Sequence, residues 1–382
     1  MRGETLVSGN LYLAWRYLCH HRVTTAVLVA SITLVAYLPA ALEVIVVNAE
    51  QHFRSRAAST PIVIGSRGSP LELVLASLYF DGKYDDVLRM EQLQRVEKQD
   101  LGLAIPLHTG FQARGVPIVG TTSDYAELRD FRTAQGRNWS LLGECVVGAR
   151  VADRFELSIG SKIPVSSDAA FVLDGPPLRL NVVGILEANE TADDEAVFVD
   201  LKTTWIITGL GHGHVSGAQH GSAEAATYTD ITADNVDSFH FHGDEARFPI
   251  TAIIVVPASE KAETLLIGQY LSPEDLAQVV RPSEVMDSLL QKVLMVRSYM
   301  IAIVAVVSLV TLLTIALVLV LSIRLRRDEI ATMSQIGCSR FAISTILGSQ
   351  IAIILAISAV LATALIQITD AYGRELIRLL IL

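Results

Sequence analysis

The chain has 382 residues, 51% of them hydrophobic and 18% charged, with a mean hydropathy of +0.44. That blend belongs to apolar membrane helices joined to a soluble part. The net charge of −10 is uneven: residues 49–297 carry 21 Lys and Arg against 34 Asp and Glu. So acidic a middle excludes the clustered cationic face that a nucleic-acid surface needs.

In chain order, residues 1–22 read as a cytoplasmic amphipathic helix, and residues 23–48 as the first transmembrane helix around the apolar run Val23–Val47. A bilayer takes about 20 helical residues. The run is much longer than the roughly 7–15 apolar residues of a signal peptide, so it is expected to stay in place as an anchor. Glu43 falls near its outer end, where a carboxylate is tolerable. Residues 49–297 read as one large extracytoplasmic domain of mixed α and β structure. Strand patterns occur at Pro61–Ile64, Val116–Gly120, Cys145–Val147, Leu178–Leu186, Ala196–Val199 and Ile250–Val256. Helical patterns occur at Asp85–Lys98, Arg150–Leu157, Lys261–Leu271 and Pro282–Val296. The stretch Gly209–Ser238, rich in Gly, Ala, Ser, His and Asp, reads as a long loop. A second span follows at 298–323, a cytoplasmic helix at 324–340, a third span at 341–368 and a short amphipathic tail at 369–382. The predicted class is thus α+β, with three transmembrane helices and a large mixed α/β domain between the first two.

Orientation follows from the short basic flanks. Arg16 and Arg22 precede the first span, and Arg324, Arg326, Arg327 and Arg340 lie between the second and third. Such flanks stay in the cytoplasm, which makes this a multi-pass inner (plasma) membrane protein with its N-terminus inside and residues 49–297 outside. Cys19 and Cys338 then lie on the cytoplasmic side and Cys145 alone outside, so no intrachain disulfide is expected.

Signatures of catalysis are absent: there is no G-x-x-x-x-G-K-[ST] phosphate loop, no H-E-x-x-H and no G-x-S-x-G elbow. Gly160-Ser161-Lys162 lacks the preceding glycine a phosphate loop requires. The chain is therefore expected to be a non-catalytic subunit, with any ATP hydrolysis in a separate polypeptide.

Several short segments, in order, resemble the MacB/FtsX-type ABC transporter permeases. They are the helix from Asn10 to Leu18 with Arg22, Val119-Gly-Thr-Thr-Ser-Asp-Tyr125, Gly136-Arg-Asn-Trp139, Val147-Gly148, Leu157-Ser-Ile-Gly160, Val182-Val-Gly-Ile-Leu186 and Ala196-Val-Phe-Val199. Arg327-Asp-Glu-Ile330 through Ile336-Gly-Cys-Ser-Arg340 resembles the family's cytoplasmic coupling helix. Two features depart from the pattern: Ser334-Gln335-Ile336 replaces the usual residues before the glycine, and the family's fourth span is not present. The resemblance implies a homodimer or pseudo-dimer in membrane lipid that docks a cytoplasmic ABC ATPase through Arg327, Glu329, Ile330, Met333, Ile336, Gly337 and Arg340. Closure of the ATPase would then reach the outer domain mechanically. Ile330, Met333 and Ile336–Gly337 recur at a helical spacing suited to an apolar groove.

Five of the nine histidines cluster: His212, His214, His220, His240 and His242, followed by Asp244. His212/His214 and His240/His242 are H-x-H pairs, and in an extended strand residues i and i+2 share a face. Each pair can offer two imidazoles to one zinc or copper ion. The bland alternative is a polar, solvated insertion over 209–244. Two readings of function follow. The first is the permease or mechanotransmission subunit of an ABC complex, acting on an envelope substrate. The alternative is a membrane-anchored, metal-sensing scaffold that regulates an extracytoplasmic partner protein.

Overall fold

The computed structural model describes residues 2–82, 87–165, 178–213, 229–272, 274–325 and 340–381, with 327, 331, 332 and 335 between the last two stretches. Packing divides the chain into a helical unit, residues 1–51 with 290–382, and an α/β unit, residues 52–289.

Helix α1 (Arg2–His20) leads into α2 (Arg22–Ala58), an unbroken helix of 37 residues despite Pro39. At about 1.5 Å per residue it is about 55 Å long, well beyond a hydrocarbon core of about 30 Å. Its last two turns belong to the α/β unit.

That unit continues with β1 (Ile62–Ser66) and α3 (Pro70–Val74), which Ser69 caps by accepting from the Glu72 N–H. A widened turn, Leu75–Tyr79, closes on Phe80 in the left-handed region (φ 58°). Next come β2 (Leu88–Arg89), α4 (Met90–Glu97), β3 (Gly102–Ala113), β4 (Val116–Thr121), α5 (Ser123–Leu128), β5 (Thr133–Gly136), β6 (Glu144–Val147), α6 (Ala149–Arg154), β7 (Lys162–Pro164), β8 (Leu178–Leu186), β9 (Val197–Asp200) and α7 (Leu201–Ile207). The last elements are β10 (Gly211–Gly213), β11 (Thr229–Asp230), β12 (Phe239–Phe241), β13 (Pro249–Ile250), β14 (Ala252–Pro257), α8 (Glu260–Gln269) and β15 (Ala277–Val280).

Eleven strands form one mixed sheet in the order β11-β8-β6-β9-β4-β3-β14-β1-β15, with β5 and β7 also pairing β8. The β4–β9, β6–β8 and β11–β8 pairs are parallel. The central strands are buried on both faces, which is why they read as continuous apolar runs. Alternation then divides their side chains between separate cores. Val63, Ile254 and Phe198 enter one cluster, while Ile62, Ile64, Ile253 and Val255 enter another on the opposite face. Cys145, Val147, Val197 and Val199 form a third. Burial pushes the Cys145 thiol up, so it serves as a small apolar core residue.

Helix α9 (Pro282–Leu325) leaves this unit and α10 (Arg340–Ile381) ends the described chain. In the helical unit, Leu18 of α1, Val29 of α2 and Ile354 of α10 share a small core. Thr33 Oγ1 donates to Ser358 O (3.5 Å), Ser358 Oγ donates to Val29 O (3.3 Å), Tyr37 OH meets Thr369 Oγ1 (2.8 Å) and Asn48 Nδ2 donates to Asp370 Oδ1 (3.2 Å). Residue numbers climb together along both helices, so α2 and α10 run parallel.

Three expectations change. The helix expected over Asp85–Lys98 begins only at Met90, because Leu88–Arg89 pair with Pro249–Ile250 as strand; residues 83–86 lie outside the described chain. Both ends of the expected loop 209–238 are ordered as β10, β11 and the turn Val236–Ser238. The tail 369–382 is no separate helix: α10 runs unbroken for 42 residues, so its far end covers most of that stretch. Among the described residues, two stretches are long and apolar enough to cross a membrane, Arg22–Ala58 and Ile343–Gly373. The described apolar part of α9, Ser298–Thr314, is shorter.

Candidate functional site

Of the residues expected to meet an ATPase, Arg327 is helical and exposed and Arg340 opens α10. Glu329, Ile330, Met333, Ile336 and Gly337 lie outside the described residues.

The histidines are positioned by an apolar support beneath them. Asp200 caps α7 by accepting from the Lys202 N–H at 2.9 Å, and α7 buries Trp205, whose Nε1 donates to Pro249 O at 2.8 Å. Gly209, at φ +80°, turns the chain out of the helix into β10. Strand β10 reads Gly-His-Gly and pairs antiparallel with β12, which reads Phe-His-Phe: Gly211 faces Phe241, His212 faces His240 and Gly213 faces Phe239. Each phenylalanine ring lies over the glycine opposite. A Cβ at Gly211 would sit 2.7 Å from the Phe241 ring, and one at Gly213 would sit 2.6 Å from that of Phe239. Phe241 also packs edge-on to Trp205, with ring centroids 6.1 Å apart.

Period-2 alternation then sends the imidazoles to the other face. His212 and His240 are direct cross-strand neighbours, and His242, held by its N–H to Leu210 O at 3.0 Å, follows His240 by two residues and is the diagonal neighbour of His212. Ring centroids lie 4.8 Å apart for His212–His240, 4.8 Å for His212–His242 and 4.6 Å for His240–His242. The structure thus brings together three of the six predicted ligands. His214 and His220 lie outside the described residues. Asp244 stands apart, because its carboxylate accepts from the Ala246 N–H at 3.1 Å and caps the turn Glu245–Arg247.

A second polar constellation has no counterpart in the sequence reading. Arg56, near the end of α2, is buried with Asp193: Nη1 donates to Oδ2 and Nη2 to Oδ1, both at 2.8 Å. Nη2 also donates to Tyr125 OH (2.8 Å), Nε donates to Leu78 O, and the guanidinium lies 5.3 Å from the Phe80 ring centroid. Burial alone would raise the Asp193 carboxyl, but the charge and hydrogen bonds of Arg56 outweigh it and hold Asp193 below its ordinary value. Burial pushes Tyr125 up to about 12, so its hydroxyl remains a donor, to Asp193 Oδ1 at 3.1 Å. The group is a structural lock with no reactive proton. Arg137, in the Gly136–Trp139 segment, has a similar structural task. It pairs with Glu144, which also accepts from the N–H groups of Ser140 (2.9 Å) and Leu141 (3.1 Å).

With this geometry in hand, residues 24–239 match the MacB-like periplasmic core domain. The chain belongs to that family. The MacB/FtsX-type ABC permease expectation is met: the family is membrane-embedded with a periplasmic domain and supplies the membrane component of ABC transporters. Among solved structures, the chain is similar to the extracellular domain of the noncanonic ABC-type transporter YknZ from Gram-positive bacteria. Identity is 13% and the TM-score 0.34, over 57% of this chain and 98% of that one. It is also similar to the periplasmic region of MacB from Actinobacillus actinomycetemcomitans, with 10% identity and a TM-score of 0.36 over 62% and 97%. No curated protein sequence matches the chain. The matched segment ends at residue 239, so His240 and His242 fall just beyond it.

Proposed function

We propose that this chain is the permease-type subunit of an ABC complex, coupling a separate cytoplasmic ATPase to an extracytoplasmic domain that acts on an envelope substrate. The match of residues 24–239 to the MacB-like periplasmic core domain carries this reading. The three-span topology draws support from the parallel course of α2 and α10. If both cross the bilayer in one direction, the chain between them must cross back, and α9 is the apolar helix available. The subunit is read as half of a dimer, with the segment 327–340 seated on the ATPase. Helix α2 runs unbroken from a membrane-length apolar stretch to Ala58 in the α/β unit, and α9 runs unbroken from Pro282 in that unit through its own shorter apolar part, which suits a mechanical linkage.

Affinity purification of the full chain from its native membrane is expected to bring down an ATPase subunit whose activity rises in the complex. Gly337→Leu or Ile330→Asp should abolish that coupling while membrane insertion stays intact, because both alter only a docking face. Full function in either variant would move the contact elsewhere. A complex without an ATPase that gains an extracytoplasmic partner only with metal would favour the scaffold reading, for which the histidine triad speaks. Reporter fusions test the topology: one after residue 150 should be exported and one after Arg327 should remain cytoplasmic. Export at Arg327 would overturn the orientation.

A further inference from the structure

We infer that His212, His240 and His242 form a binding site for a divalent transition metal, zinc in the first place, on the solvent face of the β10–β12 pair. The inference does not depend on the transport reading. Among the described residues, this is the one group of three His, Cys, Asp or Glu side chains set to share an ion, with its ligand-capable atoms within 4.8 Å of one another. In a tetrahedral zinc site with Zn–N bonds of about 2.0–2.1 Å, neighbouring nitrogens sit about 3.3 Å apart. The triad therefore has to contract by about 1.5 Å at most, which rotation about the His212 and His242 side chains, both exposed, can supply. The backbone register already does the harder part, since it places the three rings on one face before any ion arrives.

Two further observations point to a ligand. His240 Nδ1 lies 3.3 Å from Ser238 O. A metal-binding imidazole characteristically donates its second nitrogen to a carbonyl in this way, fixing the ring and directing Nε2 to the ion. Moreover, the glycines of β10 make room for the two phenylalanine rings on one face of the pair, which leaves the three imidazoles together on the other. Three imidazoles leave a fourth position open to water or an incoming ligand, unlike a closed four-ligand structural site. The imidazole donor set selects zinc, copper or nickel over calcium or magnesium, which take oxygen. An ion here would clasp β10 to β12 across the interval between them.

The test uses the full chain in detergent, stripped with a chelator and titrated calorimetrically with a zinc salt alone. About one equivalent should bind. His240→Ala with His242→Ala, and separately His212→Ala, should each weaken zinc by more than the roughly 10–100-fold typical of losing an outer-shell partner. Because His240 is half-buried and meets Ser238 O, the melting temperature of each variant is taken first without metal, and the effect of zinc is read against it. Zinc should raise the melting temperature of the wild type only. Cobalt added to the unmutated chain supplies a check that needs no variant: its visible absorption should report a low-coordinate, nitrogen-rich site and vanish on adding zinc. Absence of binding, or affinity unchanged in the double variant, overturns the assignment.

Discussion

Replacing Arg56 by alanine is expected to destabilise the α/β unit by about 3–5 kcal/mol, the range for removing one partner of a buried ion pair. The cost comes less from the lost attraction than from what remains. Asp193 would keep a carboxylate that is 1% exposed with its main counter-charge gone, and the Leu78 carbonyl and Tyr125 hydroxyl would each lose a donor. Asp193→Ala should cost a similar amount by stranding the guanidinium. Joint replacement by apolar side chains of matching size, Arg56→Met with Asp193→Leu, should recover most of the loss, since such swaps are often neutral. Thermal or denaturant unfolding of the full-length variants checks this. A loss below about 1 kcal/mol in Arg56→Ala would mean the pair is solvated. Arg56 also ties α2 into the sheet unit, with Ser59 and Thr60 hydroxyls donating to its carbonyl and Arg129 bracing both.

That lock shows why part of the molecule was not legible in the sequence. Arg56 and Asp193 are 137 residues apart, and no local spacing joins them; Arg56 reads merely as a basic residue flanking a span. Strands β1, β4, β6, β8, β9 and β14 were legible because burial on both faces imposes runs of Val, Ile and Leu. Strand β3 was hidden by its own exceptions. Pro106 carries no N–H, and Gly110, at φ +100°, sits within the irregularity between His108 and Phe111. Helix α7, Leu-Lys-Thr-Thr-Trp-Ile-Ile, is too β-branched to read as a helix; the Asp200 cap and the packing of Trp205 override that propensity. The histidines divide in the same way. Alternation predicts that His240 and His242 share a face, but only the register with β10 brings His212 across to them. Of the seven residues expected to dock an ATPase, only Arg327 and Arg340 fall among the described residues.

Acid is expected to unfold the α/β unit earlier than its carboxylates alone would dictate, because of His108. The imidazole is buried beneath α7, with Nδ1 at 2.8 Å from Thr204 Oγ1 and the ring edge-on to Phe111. Burial pushes it down from 6.5 to about 3. Above about pH 6.5 the ring is neutral whether the chain is folded or not, and its contribution to stability is fully present. As the pH falls below that value, the unfolded chain takes up a proton that the folded one refuses, so stability drops by about 1.4 kcal/mol per pH unit. By about pH 3 the loss is on the order of 4 kcal/mol. Asp193 acts in the same direction but lower. Its folded value is depressed, so its contribution is present above the ordinary carboxylate range and fades only beneath it. The two windows are separable. His108→Asn, whose amide stands where Nδ1 meets Thr204, should flatten the stability profile between about pH 6 and 4 and leave the steeper acid limb in place. Denaturant midpoints measured across that range for wild type and variant decide the matter, and parallel profiles would mean that the ring titrates in the folded protein.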